Sequence, residues 1–145
     1  MKKPRKTSGQ SLVEFALIFP ILFFMITGFI DLGRAVFYFS SLSNSVREGT
    51  RYAIVHKDAV DTVAKNNGYP DLIQKVKEFS FGIKTSDITV VPEVLLDESD
   101  KPESIKITAT YMFLPITPGI KQIFGSMTGL PISAQSTMRL AAIAR

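Results

Sequence analysis

The chain of 145 residues lacks cysteine and contains one histidine, His56. Without cysteine, no disulfide framework, thiolate nucleophile or cysteine-based metal site can form, and one histidine cannot supply a histidine-pair metal site. Neither glycine-rich phosphate-binding pattern, GxGxxG or GxxxxGK[ST], is present. These absences argue against an enzyme, and the sequence predicts no catalytic residue, metal or cofactor.

Basic charge is confined mainly to one end of the chain. The first nine residues contain Lys2, Lys3, Arg5 and Lys6 and no acidic side chain. The other 13 of the 17 basic residues are balanced by 13 acidic ones. A basic cluster directly before an apolar run is typical of membrane targeting, so we do not predict a nucleic-acid partner.

Charged residues are also missing from Phe15 to Ile30. With Leu12 and Val13 the apolar stretch reaches 19 residues, interrupted only by Glu14. A helix of this length spans roughly 28 Å, close to the hydrocarbon thickness of a bilayer. The remaining chain is too short to enclose a helix that is apolar on every face. We therefore predict a transmembrane segment at about residues 12–30, with the N-terminus in the cytoplasm and the rest outside.

The helical pattern continues beyond the apolar segment, and no proline occurs between Pro20 and Pro70. Apolar residues recur at spacings of mostly three and four, as on one helix face: Leu32, Ala35, Val36, Phe39, Leu42, Val46, Ala53 and Ile54. One helix is predicted from about Ser11 to about His56. The chain then divides into a basic leader (1–9), the long helix (10–56) and an extracytoplasmic α+β domain, called here the outer domain (57–145).

The outer domain begins with helical signals and ends with strand signals. Short helices are predicted from Asp58 and from about Asp71 to Phe81. A short β-rich run predicts a strand at about residues 88–91, and alternating apolar residues predict two more at about residues 104–113 and 132–140. A small antiparallel sheet packed on the long, pilin-like helix is the expected architecture.

Two connections in this sheet carry distinctive residues. Asp97, Glu98 and Asp100 lie between the first two strands without EF-hand spacing, which indicates a solvated tip. The second connection, with a helical turn predicted at residues 120–124, is rich in apolar residues that either pack on the long helix or contact the membrane or another subunit: Phe113, Leu114, Ile120, Ile123 and Phe124.

A carboxylate, Glu14, stands at the start of the apolar segment and is followed by Phe15. An isolated carboxylate costs roughly 2.5–3.5 kcal/mol at the centre of a membrane helix, so such a residue indicates a functional site. Cleavage after Gly9 would create an α-amino group on Gln10, four positions earlier. In a neighbouring subunit that amine could neutralise Glu14 and set the axial register. Alternatively, Glu14 is hydrated among the headgroups without a partner.

Charged residues farther along the helix form a second group of candidates. Asp31 and Arg34 stand three positions apart, as do Glu48 and Arg51, with Arg47 beside them. Oppositely charged residues at this spacing can form weak ion pairs on one face of a helix. These side chains could contact a neighbouring subunit or tie the helix to the sheet, and the sequence leaves both alternatives open.

Several of these features coincide with a known family pattern. The residues concerned are Gly9-Gln10-Ser11-Leu12-Val13-Glu14-Phe15-Ala16-Leu17, Pro20, Asp31-Leu32-Gly33-Arg34-Ala35 and Arg47-Glu48-Gly49-Thr50-Arg51-Tyr52-Ala53. Together they resemble TadE-like proteins of the Tad (tight adherence) secretion system. Gly9 followed by Glu14 and Phe15 resembles the processing site of type IV prepilins of the short-leader Flp class.

The resemblance implies that a prepilin peptidase cleaves between Gly9 and Gln10, and that Glu14 and Phe15 serve assembly. It implies a minor pseudopilin of a Flp-type pilus for surface adhesion, in contact with other pilins or pseudopilins and with the Tad membrane platform. The protein would reside in the cytoplasmic membrane, as a single-pass protein, or in the extracellular pilus. The alternative is an uncleaved signal-anchored protein with an extracytoplasmic binding domain.

Overall fold

A computed structural model describes residues 8–60, 62–96, 102–118 and 129–140 of the chain. The elements in chain order are α1 (Ser8–Val55), a 3-10 turn (Lys57–Val60), α2 (Thr62–Asn66), α3 (Pro70–Phe79), a second 3-10 turn (Thr85–Asp87), β1 (Ile88–Leu96), β2 (Pro102–Phe113) and β3 (Leu130–Arg139). A long helix followed by a three-stranded sheet confirms the predicted α+β class. Residues 1–7 of the leader, the Asp97–Asp100 tip and the turn predicted at 120–124 lie outside the described residues.

Helix α1 is continuous over 48 residues, or roughly 72 Å. Every large apolar side chain between Leu12 and Ile30 is 44–69% exposed. A core helix of a soluble domain would be buried by its own chain, so this half of α1 is not a core helix. Within the described residues, α1 is the helix long and apolar enough to cross a membrane.

The second half of α1 packs on the outer domain, but only part of the predicted apolar face is buried there. Leu42, Val46 and Ala53 are fully buried. Leu32, Val36 and Phe39 remain 52–60% exposed, because the sheet approaches α1 from another side. That side also presents small and polar residues, of which Ser45 and Thr50 are fully buried. The exposed flank of α1 therefore continues past the membrane segment.

The sheet is antiparallel throughout, in the order β1-β2-β3. In the central strand, Ala109 pairs with Val90 on one side and Ala134 on the other. The residues that alternate along β2 face inward, as period-2 patterning predicts. The core joins β1 and β2 to α1 and α3, and its fully buried large side chains are Leu42, Val46, Leu72, Val76, Ile105 and Ile107.

The connection between α1 and the sheet differs in detail from the prediction. The helix expected from Asp58 is a 3-10 turn followed by the five-residue α2. Gly68 and Tyr69 follow α2 with positive φ angles of 75° and 59°. They interrupt the helical conformation, and α3 begins at Pro70. Helix α3 ends at Phe79 instead of Phe81, because the Ser80 backbone N–H turns back to the Lys77 carbonyl.

Candidate functional site

The predicted processing and assembly residues lie on the first two turns of α1. Gly9, Gln10, Glu14 and Phe15 are all exposed. The space around Gly9 is open, since a Cβ atom there would meet nothing within 4 Å. Within the described residues, no basic side chain pairs with the Glu14 carboxylate. This end of α1 is therefore accessible from the side.

A second cluster forms where α1 leaves the apolar segment. Asp31 is only 5% exposed, and its carboxylate accepts hydrogen bonds from the segment that follows β2. The Ile116 N–H donates to Oδ1 at 3.0 Å, and the Thr117 N–H and hydroxyl donate to Oδ2 at 2.8 and 2.7 Å. Arg34 Nη1 completes the set at 2.9 Å from Oδ1. Asp31, Arg34, Ile116 and Thr117 are called here the Asp31 cluster.

The hydrogen bonds of this cluster control the charge state of Asp31. Burial alone would raise the pKa of the carboxyl group, because desolvation penalises the charged form. The donors from Ile116, Thr117 and Arg34 outweigh that effect and lower the pKa from 3.8 to about 2. Asp31 is thus a buried, ionised carboxylate that holds a loop against the helix.

Arg34 extends the same attachment toward the end of β2. Its guanidinium carbon lies 5.1 Å from the centroid of the Phe113 ring and 5.9 Å from that of Tyr38. A guanidinium over aromatic rings at these distances gains from their quadrupoles. Asp31 and Arg34 therefore both contact the outer domain of their own chain.

Arg47, Glu48 and Arg51 lie elsewhere on α1. Glu48 is 17 positions beyond Asp31, or roughly 25 Å along the axis. The Arg51 Nη1 and Glu48 Oε2 atoms are 3.9 Å apart; the Arg51 side chain is largely exposed and that of Glu48 is partly exposed. Such a pair contributes between about 0 and 0.5 kcal/mol. The structure does not bring these residues together with the Asp31 cluster.

The sequence did not reveal which small residues join α1 to the domain. Gly49 is buried against α3 and β2, and an added Cβ would overlap the Val76 side chain. The Thr50 and Ser136 hydroxyls are 3.0 Å apart across the interface of α1 with β3. A glycine within a helical pattern was the available signal, because it often marks a close approach.

Metal-binding groups are not apparent in this arrangement. Among the described residues, no three histidine, aspartate or glutamate side chains are close enough together to hold a metal ion. The polar clusters bind backbone N–H groups and guanidinium groups instead. They attach elements of the chain to one another.

An exposed apolar helix end and a small domain attached to its other half are features of a membrane-anchored protein. Residues 9–51 match the family model described as "TadE-like protein". Over this segment the chain is similar to the TadE-like family, as its sequence predicted, and that family is a structural, pilus-associated family. No curated protein and no solved structure matches the chain.

Proposed function

We propose that this protein is a minor pseudopilin of a Tad (Flp-type) pilus or secretion system. In this proposal, prepilin peptidase cleaves after Gly9, and the mature subunit assembles through α1. The observation that carries the proposal is the exposed flank of α1 beyond the membrane segment, formed by Leu32, Val36 and Phe39. The match of residues 9–51 to the TadE-like family supports it.

The bilayer cannot cover the whole of that flank. Val36 and Phe39 lie five and eight positions past Asp31, which is about 8 and 12 Å farther along the helix. The segment at residues 12–30 already matches the hydrocarbon thickness. The described part of the outer domain packs against a different side of α1, so the described residues leave the flank uncovered. Contiguous exposed apolar surface indicates a protein partner, and a neighbouring pilin-like helix has the matching shape and length.

The N-terminal residues supply the second requirement of assembly. Because Gly9 and Gln10 are exposed, a membrane peptidase can reach the bond between them. The amine released on Gln10 would lie about 6 Å along the axis from Glu14. A neighbouring α1 displaced by about one helical turn could then bring its amine to this Glu14. In each pair, the amine and the carboxylate would neutralise each other instead of remaining as isolated charges in the apolar environment.

The first prediction concerns processing. We expect the membrane-extracted protein to begin at Gln10 when its host's prepilin peptidase is present, and at Met1 when the peptidase is absent. Intact mass and N-terminal sequencing distinguish the two forms. A start at Met1 under both conditions would contradict the proposal and leave a signal-anchored protein with an outer binding domain.

The second prediction separates assembly from processing. Glu14→Gln should still be cleaved after Gly9 but should fail to enter sheared pili or cross-linked assemblies, because the amide cannot neutralise the Gln10 amine. Glu48→Gln is the matched control, since it removes a partly exposed carboxylate of the same helix. Normal assembly of Glu14→Gln, or equal defects in the two variants, would exclude the proposed pairing.

A further inference from the structure

The end of β2 and the segment that follows it, residues 113–118, carry apolar side chains on both faces. Phe113, Pro115 and Thr117 are buried toward the molecule. Leu114 and Ile116 point outward and are 47% and 63% exposed, and Pro118 is exposed as well. Alternate residues of an extended chain point to opposite sides, and the outer side of a segment facing water is normally polar. The outer side of this segment is apolar.

The Asp31 cluster places this segment at the end of the membrane part of α1. Asp31 directly follows Ile30, and it holds the backbone N–H groups of Ile116 and Thr117 at 3.0 and 2.8 Å. Side chains of a helix tilt toward its N-terminus, which for α1 is the membrane side. Residue 116 is therefore held near the depth at which α1 leaves the hydrocarbon.

Contacts along β2 show that the chain descends toward this level. The Tyr111 ring is 5.1 Å from Tyr38, and the Phe113 ring is 5.1 Å from the Arg34 guanidinium carbon. The next contacts, from Ile116 and Thr117, reach Asp31. Successive residues of this strand and its continuation thus contact α1 about one turn closer to the membrane at each step.

The lack of charged residues on this part of the chain is also compatible with contact to lipid. No charged residue occurs from Ile107 to Pro118. The Asp31 carboxylate is only 5% exposed and is paired with Arg34, whose Nη1 lies 2.9 Å from Oδ1. A charged segment would resist contact with the acyl boundary, whereas the exposed side chains at its end, Leu114, Ile116 and Pro118, are aliphatic.

We propose that Leu114 and Ile116 insert into the interfacial region of the bilayer leaflet that α1 leaves. The outer domain is then held to the membrane at two places, through α1 and through residues 114–116, and its orientation on the membrane surface is set. The lipid surface is the expected occupant because the exposed side chains are continuous in depth with the apolar segment of α1. This inference rests on the membrane placement of α1 within the proposed function.

Tryptophan fluorescence tests the inference, because the chain contains no tryptophan. Ile116→Trp and Leu114→Trp each introduce a single indole at an exposed position. Phe23→Trp places the reporter in the middle of the membrane segment. Val91→Trp, at an exposed residue of β1 paired with Thr108, reports on the outer domain away from the membrane. Full-length variants are reconstituted at one chain per nanodisc, with ordinary or brominated phosphatidylcholine.

We expect blue-shifted emission and clear quenching by brominated lipid for Phe23→Trp, Ile116→Trp and Leu114→Trp, and water-like, unquenched emission for Val91→Trp. If only Phe23→Trp is quenched, residues 114–116 do not contact lipid and the inference fails while the membrane placement stands. If Phe23→Trp is not quenched either, both proposals fail. A blue shift at residue 116 that requires several chains per disc and occurs without quenching would assign the surface to a second copy and overturn the lipid proposal.

Discussion

Asp31→Asn is expected to lower the free energy of unfolding of the outer domain by about 2–4 kcal/mol. The carboxylate oxygens each accept two hydrogen bonds, from Ile116 and Arg34 at Oδ1 and from the two donors of Thr117 at Oδ2. An asparagine amide presents one oxygen and one NH₂ group. The NH₂ group would face donors, so buried N–H or hydroxyl groups would lose their acceptor while the shape of the side chain stays nearly the same.

Urea unfolding of the full chain in detergent micelles measures this effect. All four tyrosines lie beyond the apolar segment, so near-ultraviolet circular dichroism follows the outer domain while the detergent keeps the apolar end of α1 in place. Hydrogen exchange at Ile116 and Thr117 should accelerate in the variant. Glu48→Gln is the control, because its partly exposed carboxylate, 3.9 Å from Arg51, should contribute about 0.5 kcal/mol or less. Equal stability of Asp31→Asn and the unmodified chain would show that the cluster does not hold the loop.

The same residue predicts how stability responds to acid. The pKa of Asp31 in the folded protein is about 2, below its ordinary value of 3.8. The unfolded chain therefore binds the proton more readily, so the stabilisation is fully present above about pH 4 and is lost as the pH falls toward about 2. The loss attributable to Asp31 is on the order of 2 kcal/mol. Asp31→Asn should remove this part of the acid dependence, and a variant that retains all of it would assign the titration to other groups.

Gly49→Ala is expected to destabilise the outer domain by about 1–3 kcal/mol, although alanine is the better helix former. The added Cβ would overlap Val76 Cγ2 and lie 3.3 Å from Ile107 Cδ1. Val76 and Ile107 are themselves fully buried, so neither side chain has free space into which it can move. The strain of overpacking should exceed the propensity gain of about 1 kcal/mol.

Gly33→Ala provides the matched control on the same helix. A Cβ at Gly33 meets nothing within 4 Å, so only the helix propensity changes and stability should rise by about 0.5–1 kcal/mol. Urea unfolding of the two variants in micelles should give shifts of opposite sign. Shifts of the same sign and size would mean that packing at residue 49 is loose and that α1 does not approach α3 closely there.

Local features of the sequence were sufficient to predict the main elements. The apolar run, the absence of proline between Pro20 and Pro70 and the helical spacing predicted one long helix, because a helix depends on residues three and four positions apart. Strict alternation predicted the second and third strands, because neighbouring side chains of a strand point to opposite faces, and a short β-rich run predicted the first. The TadE-like resemblance also lies in a contiguous segment, and the family match at residues 9–51 confirmed it.

The predictions were less accurate where the local structure depends on which other elements of the fold pack against a residue. A single apolar face was expected on the second half of α1, but Leu32, Val36 and Phe39 lie on the flank that the sheet leaves uncovered. Periodicity shows that a helix has an apolar stripe, and it does not show which part of that stripe the sheet covers. The helix expected from Asp58 was also divided, because a 3-10 turn and the positive φ angles near Gly68 reverse the chain within a few residues.

The candidate functional residues also fall into two groups: those that the sequence alone identified and those whose role only the tertiary structure shows. The sequence by itself determined the exposed, contiguous N-terminal pattern from Gly9 to Phe15, whose proposed roles require no partner from elsewhere in the chain. Only the tertiary structure decided the role of Asp31, whose donors on Ile116 and Thr117 are 85 and 86 positions away, and that of Gly49, which packs on α3 and β2. Partners so distant in sequence meet only when the sheet docks on α1, so neither spacing nor composition could identify them.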